Sequence, residues 1–240
     1  MDLGELVGRN RNRLTSFIFA LISIGLIGAH SLHLTNYSDL EMWGFVTGLW
    51  SIWWAVLNLP RNWAIGLVNE AIFFVMFWQL GLFANAFLQL VFGAVSIWGW
   101  YEWLRGGDKK TELPITYMSK VEWLLIIIGL PLLTLILIVI IQLATGTYVF
   151  SDVVTTAISL LATYLLGWRK VENWYLWFTT DIIYLFLLSS QGLYLTMALY
   201  AIFAVLCIKG FIDWRRIYKT PKNQAEVQAL KNAQLRKGIW

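Results

Sequence analysis

The chain has 240 residues, 59% of them hydrophobic and 13% charged, with a mean hydropathy of +0.65. A soluble globular domain carries about 25% charged residues, so this composition excludes that class and points to the membrane. The formal net charge is +4, and the single cysteine, Cys207, excludes an internal disulfide.

The N-terminus carries Arg9, Arg11 and Arg13 ahead of the first apolar segment, 14–34. That run matches the ~20 residues a spanning helix needs and exceeds the about 7–15 of a signal-peptide core, so it is read as a span. Seven further apolar segments follow at 39–58, 62–82, 85–105, 121–145, 150–168, 172–190 and 192–214. Helices are expected throughout, because lone hairpins leave their backbone unsatisfied in lipid. With the N-terminus inside and eight crossings, all 18 Lys and Arg fall on the inner side, the last of them at Lys209, Arg215, Arg216 and Lys219 and in the basic stretch from Thr220. The predicted outer loops hold Asp39, Glu41 and Asp152 and no basic residue.

Residues 62–105 align without a gap on 173–216 at an offset of 111, with 11 identities in 44 positions. Asn62-Trp63 falls on Asn173-Trp174, Glu70 on Asp181, Gly99 on Gly210, Glu102 on Asp213, Trp103 on Trp214 and Arg105 on Arg216. Each copy extends to three helices that begin outside and end inside. Two such units in one orientation need an extra crossing, and the aliphatic 121–145 supplies it. The expected fold is all-α and integral to the membrane, with about eight transmembrane helices arranged 1+3+1+3 in two parallel three-helix repeats, as in SWEET transporters. The corresponding divisions are 1–38, 39–105, 106–149, 150–216 and 217–240.

Polar and aromatic side chains form stripes inside the spans. Trp174, Trp177, Asp181, Tyr184 and Gln191 share one face of 172–190, and Gln89, Ser96, Trp100 and Trp103 share one face of 85–105. Helix 62–82 offers Asn69, Glu70 and Phe73, helix 150–168 offers Asp152, Thr156, Ser159 and Thr163, and helix 39–58 offers Trp43, Trp50, Trp53 and Trp54. Trp43, Trp63, Trp103, Trp123, Trp168 and Trp214 lie near span ends and read as an interfacial belt. Thr156, Ser159 and Thr163 read as backbone or interhelical bonds, and Gly44 with Gly48 as a close-packing motif. Glu70 and Asp181 lie about 12 Å into their spans at 1.5 Å per residue. A carboxylate at that depth costs at least ~2.5–3.5 kcal/mol and calls for a wet cavity or a partner. Beside indole faces it suits a cationic or polar-aromatic ligand.

No phosphate-binding glycine loop, zinc motif or cysteine cluster occurs in the sequence. No cofactor, metal or nucleic-acid partner is expected. His30 and His33 read as structural. An enzyme would need a reactive constellation, and a purely structural subunit has little reason to keep acids at depth.

Gln89 with Ser-Ile-Trp-Gly-Trp-Tyr-Glu-Trp at 96–103, together with Val-Glu-Asn-Trp-Tyr-Leu-Trp at 171–177, resembles the PnuC family of bacterial nicotinamide riboside transporters. The resemblance covers about 39–216. It implies a SWEET-like fold, a pocket between the two units, and facilitated diffusion driven by the substrate gradient. It transfers Gln89, Trp100, Trp103, Asn173, Trp174 and Trp177 as site positions. The expected protein is a non-enzymatic nicotinamide riboside uniporter of the bacterial inner membrane, with both termini cytoplasmic, and a homo-oligomer, taken as a trimer. Trp177 and Trp53 are expected to stack on the ring. Asp181, Asn173 and Gln89 are expected to meet the amide and ribose, with Asn69 and Glu70 contributing from the first repeat. Phe73, Ser96, Trp100, Trp174 and Tyr184 complete the expected shell. The family pattern has Tyr where this chain has Trp98, and Asn where it has Ser96 and Asp181, so another vitamin or nucleoside, such as thiamine, is the alternative substrate.

Overall fold

The computed structural model describes residues 3–35, 38–79, 83–145, 149–189 and 194–236. Gln191 and Lys237 lie outside them, as do two further identities of the repeat, Gly81-Leu82 on Gly192-Leu193. The described residues form α1 (Leu3–Ser31), α2 (Asp39–Val56), α3 (Arg61–Gln79), α4 (Phe83–Arg105), α5 (Lys120–Thr145), α6 (Phe150–Gly167), α7 (Asn173–Ser189), α8 (Tyr194–Tyr218) and α9 (Pro221–Arg236), with one 3-10 turn at Asp108–Lys110. Each of the eight apolar segments therefore carries a helix among the described residues. α1 starts well before its apolar run, and the polar tail is a ninth helix.

Local chemistry sets the ends. Ser38 caps α2 and Glu41 returns to the Ser38 backbone N–H at 2.8 Å, a reciprocal pair that satisfies two free donors. Ser119 and Glu122 repeat that arrangement at the start of α5. α2 and α6 stop in the same way, on left-handed residues Asn58 (φ 54°) and Arg169 (φ 50°), which occupy equivalent repeat positions.

Within each bundle the middle helix packs on both others, α3 on α2 and α4, and α7 on α6 and α8. Between bundles, α2 packs on α8 and α4 on α6. The six helices thus close a ring in the order α2, α3, α4, α6, α7, α8. The two cross-bundle contacts exchange under the repeat, as a two-fold axis through the ring requires. α1 lies against α2, and α5 lies against α6 and α4.

By length and composition alone, three of these helices could cross a membrane: Asn10–Ser31, Lys120–Leu143 and Phe150–Gly167. The other ring helices carry Trp, Asn, Gln and acidic residues that lower mean hydropathy, and α7 is only 17 residues long. The most apolar spans, in α1 and α5, are also the least buried, as expected of helices with lipid on most sides.

The bundles are locked near the C-terminal ends of α4 and α8. Trp63 packs edge-on to Trp103 at 5.5 Å, and Trp174 edge-on to Trp214 at 5.4 Å. The ring of Trp63 occupies the space over Gly99, and that of Trp174 the space over Gly210. Trp63, Trp103 and Trp214 are thus core residues, at most 3% exposed, and not members of an interfacial belt. Trp43 and Trp123 are exposed, at 44% and 40%. Trp168 instead packs on Trp98 at 5.3 Å.

A methyl at Gly99 or Gly210 would stand 2.6 Å from the facing indole. Gly99→Ala and Gly210→Ala should each cost about 1–3 kcal/mol, read as a lower melting temperature in detergent. Gly25→Ala and Gly28→Ala meet nothing within 4 Å and should not lower it.

Candidate functional site

The closed end of the ring is built from the matched tryptophans. Trp103 and Trp214 approach each other at 5.7 Å across the axis. Trp103 Nε1 donates to Leu166 O at 2.8 Å and Trp214 Nε1 to Ala55 O at 3.1 Å. Leu166 and Ala55 are equivalent positions, so each bundle's last helix is pinned to the other bundle's first. Trp174 and Asn173 belong to this end. Asn173 Nδ2 donates to Lys170 O at 2.6 Å, and Asn173 Oδ1 and Trp174 Nε1 are buried without a partner.

Beneath the tryptophans, the 106–119 connection crosses the same end. Leu113, Pro114 and Ile115 are buried. Asn223 of α9 grips Ile115 from both sides, Nδ2 to its carbonyl and Oδ1 from its N–H, each at 2.9 Å. Arg169 lies with its guanidinium 4.4 Å over Trp103, donates to Leu113 O, and is pushed down to about 10 by burial. It therefore stays protonated at neutral pH.

Above this end the acids take up matched positions. Ser96 Oγ on α4 donates to Glu70 Oε1 on α3 at 2.6 Å. Cys207 Sγ on α8 donates to Asp181 Oδ2 on α7 at 3.3 Å. Asn69 Nδ2 donates to Gly44 O and Thr47 Oγ1, both at 2.8 Å, and Gly48 leaves room for Asn69 and for Phe203 of α8. The Phe73 ring rests on Gly44. In the second bundle the equivalent pair is Tyr184 and Thr155, with Thr155 Oγ1 donating to the Tyr184 hydroxyl at 3.4 Å. Tyr184 also stacks on Tyr200 at 4.6 Å.

The structure therefore brings Asn69, Glu70, Phe73 and Ser96 together in one bundle, and Asp181 and Tyr184 in the other. Gln89, Trp100 and Trp177 are partly buried on α4 and α7. Trp53 stands apart. It has no exposed area, its Nε1 donates to Ser16 Oγ at 2.9 Å, and its ring is covered by Phe19 and by Lys209, whose Nζ lies 5.3 Å from the ring centroid. Thr163 bonds its own helix at Ser159 O. Cys207, Tyr200, Thr155 and Phe203 join the site without having been singled out. The repeat offset carries the signal for three of them, from Ser96, Gln89 and Gly44, but identity matching does not see it because the residue types differ.

The sequence matches the family model described as Nicotinamide mononucleotide transporter over residues 38–216. The chain belongs to this family. The nicotinamide riboside transporter PnuC of Escherichia coli (strain K12) is 27% identical over 205 residues, covering 75% of this chain and 86% of the relative. The Shigella flexneri protein of the same name matches to the same extent. Among solved structures, the crystal structure of the vitamin B3 transporter PnuC superposes with a TM-score of 0.67 at 20% identity, covering 84% of this chain and 92% of that one. The fold is that of a helical membrane transporter.

Trp103→Phe and Trp214→Phe each remove one buried hydrogen bond to a carbonyl that keeps a second donor, Arg169 N–H or Asn58 N–H. Each should lower stability by about 0.5–1.5 kcal/mol. Because the two rings touch, the double variant should depart from additivity by about 0.5 kcal/mol or more, read by thermal unfolding.

Proposed function

We propose that this protein takes up nicotinamide riboside by facilitated diffusion, through a site inside the ring between its two three-helix bundles. The observation that carries the reading is the pair of equivalent carboxylates, Glu70 and Asp181. Each is held by a hydroxyl or thiol, and neither is ion-paired among the described residues. Nicotinamide riboside carries a pyridinium cation, which such a site attracts. Its phosphorylated form adds negative charge, which the same acids repel. The riboside therefore fits better than the mononucleotide in the family's description. The names of the PnuC relatives support this choice.

Within the site, Trp177 is assigned to stack on the ring, since Trp53 is already covered by α1 and Lys209 in this conformation. Asp181 and Glu70 face the cation. Gln89, Asn69 and Tyr184 offer donors and acceptors for the amide and ribose. The Trp103–Trp214 contact closes the route at one end.

The topology we propose crosses the bacterial inner membrane eight times, in the parallel-repeat manner of SWEET transporters, with both termini cytoplasmic. The assembly is a homotrimer. In this orientation the closed end faces the cytoplasm.

The test is calorimetric titration of the detergent-solubilised protein with nicotinamide riboside, with thiamine and the mononucleotide as competitors, followed by uptake into liposomes. Asp181→Ala and Trp177→Ala should each weaken riboside binding at least about tenfold, near 1.4 kcal/mol. The mononucleotide should compete poorly. Unchanged affinity in both variants would move the pocket elsewhere, and displacement of the riboside by thiamine would replace the substrate.

A further inference from the structure

α3 and α7 each carry a tryptophan seven residues before an acid, Trp63 before Glu70 and Trp174 before Asp181. Seven residues is two helical turns, so anchor and acid share a face. α4 and α8 answer with a small residue three positions before the glycine that receives the tryptophan, Ser96 before Gly99 and Cys207 before Gly210. Once Trp63 lies on Gly99, and Trp174 on Gly210, the acids are brought against Ser96 and Cys207. The same contact thus forms twice, at one offset of 111, with different atoms. Packing alone needs no donor at these positions, since Ala would fill the space.

The other carboxylate oxygen of Glu70 points to a further use. Glu70 Oε2 is buried and has no hydrogen-bond partner among the described residues. A buried oxygen left unpartnered is costly, and with Ser96 holding Oε1 this oxygen lies over Gly93 of α4 with its hydrogen-bonding capacity unused.

We propose that Ser96 and Cys207 are positioning residues that orient the Glu70 and Asp181 carboxylates toward a cationic ligand, so that preference for the charged form of the substrate depends on them. This rests on the reading of the acids as ligand-facing groups. Ser96 and Cys207 themselves touch the acids and not the ligand. The thiol is the weaker donor, so the second bundle is held more loosely than the first.

The test compares nicotinamide riboside with its 1,4-dihydro form, which has nearly the same shape and no ring charge, by calorimetric titration of full-length variants. Ser96→Ala should weaken binding of the cation about tenfold and Cys207→Ala about threefold, while affinity for the neutral form stays within about twofold. Cys207→Ser should restore the preference for the cation. A purely structural role would weaken both ligands together or lower the melting temperature alone, and either result overturns the proposal. Asp181→Asn separates this inference from the reading beneath it. If Asp181→Asn abolishes the preference and neither alanine variant changes it, only the positioning role falls. If Asp181→Asn leaves the preference intact, the acid does not face the ligand and both fall.

Discussion

Trp63 can lie across α4 only because residue 99 has no Cβ, and Trp174 across α8 only because residue 210 has none. In lipid there is little hydrophobic force between helices, so close van der Waals fit and buried hydrogen bonds must hold them. These two contacts supply the fit. They seat Trp103 and Trp214 edge-on, and those rings then donate to the carbonyls of Leu166 and Ala55 on the opposite bundle. They also fix the rotation of α3 and α7 about their own axes. Because each acid sits two turns from its tryptophan, the same lock sets each carboxylate against the neighbouring helix, Glu70 on Ser96 and Asp181 on Cys207.

The repeat was legible because the lock is conserved between copies in residue type: Asn-Trp, Gly and Trp recur at a single offset. The helix count was legible from apolar length. The role of the tryptophans was not. A residue near a span end looks interfacial whether it meets headgroups or turns inward onto a glycine, and only the matched Gly99 and Gly210 distinguish the two. The acids were legible as out-of-place charges, whereas their partners were not, since Ser96 and Cys207 share no identity and neither is unusual in a span. Trp53 shows the opposite failure. Its stripe on α2 pointed to the ligand, but α1 lies outside both repeats and Ser16 and Phe19 cover the indole. Nothing in the repeat foretold which face of α2 the extra helix would take.

The basic end departs most from two-fold symmetry. After α4 the chain runs back across the ring through Pro114 and Ile115, pairing Thr116 with Lys170 and placing Met118 N–H on Glu172 Oε1. After α8 the chain turns into α9, which holds that crossing segment through Asn223. The polar composition of α9 gave no hint of this, because the single buried amide does the holding and the Lys and Arg around it are exposed. Arg169 completes the layer. Burial alone would favour its neutral form, but Glu112 at 3.7 Å, the Leu113 carbonyl and the face of Trp103 keep it charged. On the uptake route proposed above, a cation in this layer beneath the tryptophans opposes the passage of another cation.

That opposition bears on the facilitated diffusion proposed above. In facilitated diffusion release must be as attainable as capture, so the proposed site has to attract a cation without trapping it. Two bare carboxylates facing one ligand would bind it too tightly in a low-dielectric ring. A hydroxyl on one and a thiol on the other withdraw part of each charge. The difference between the two donors then makes the halves of the site unequal, although the backbone around them is nearly two-fold. Because the acids occupy equivalent positions about the two-fold axis, a ligand in the proposed site meets the stronger and the weaker contact together.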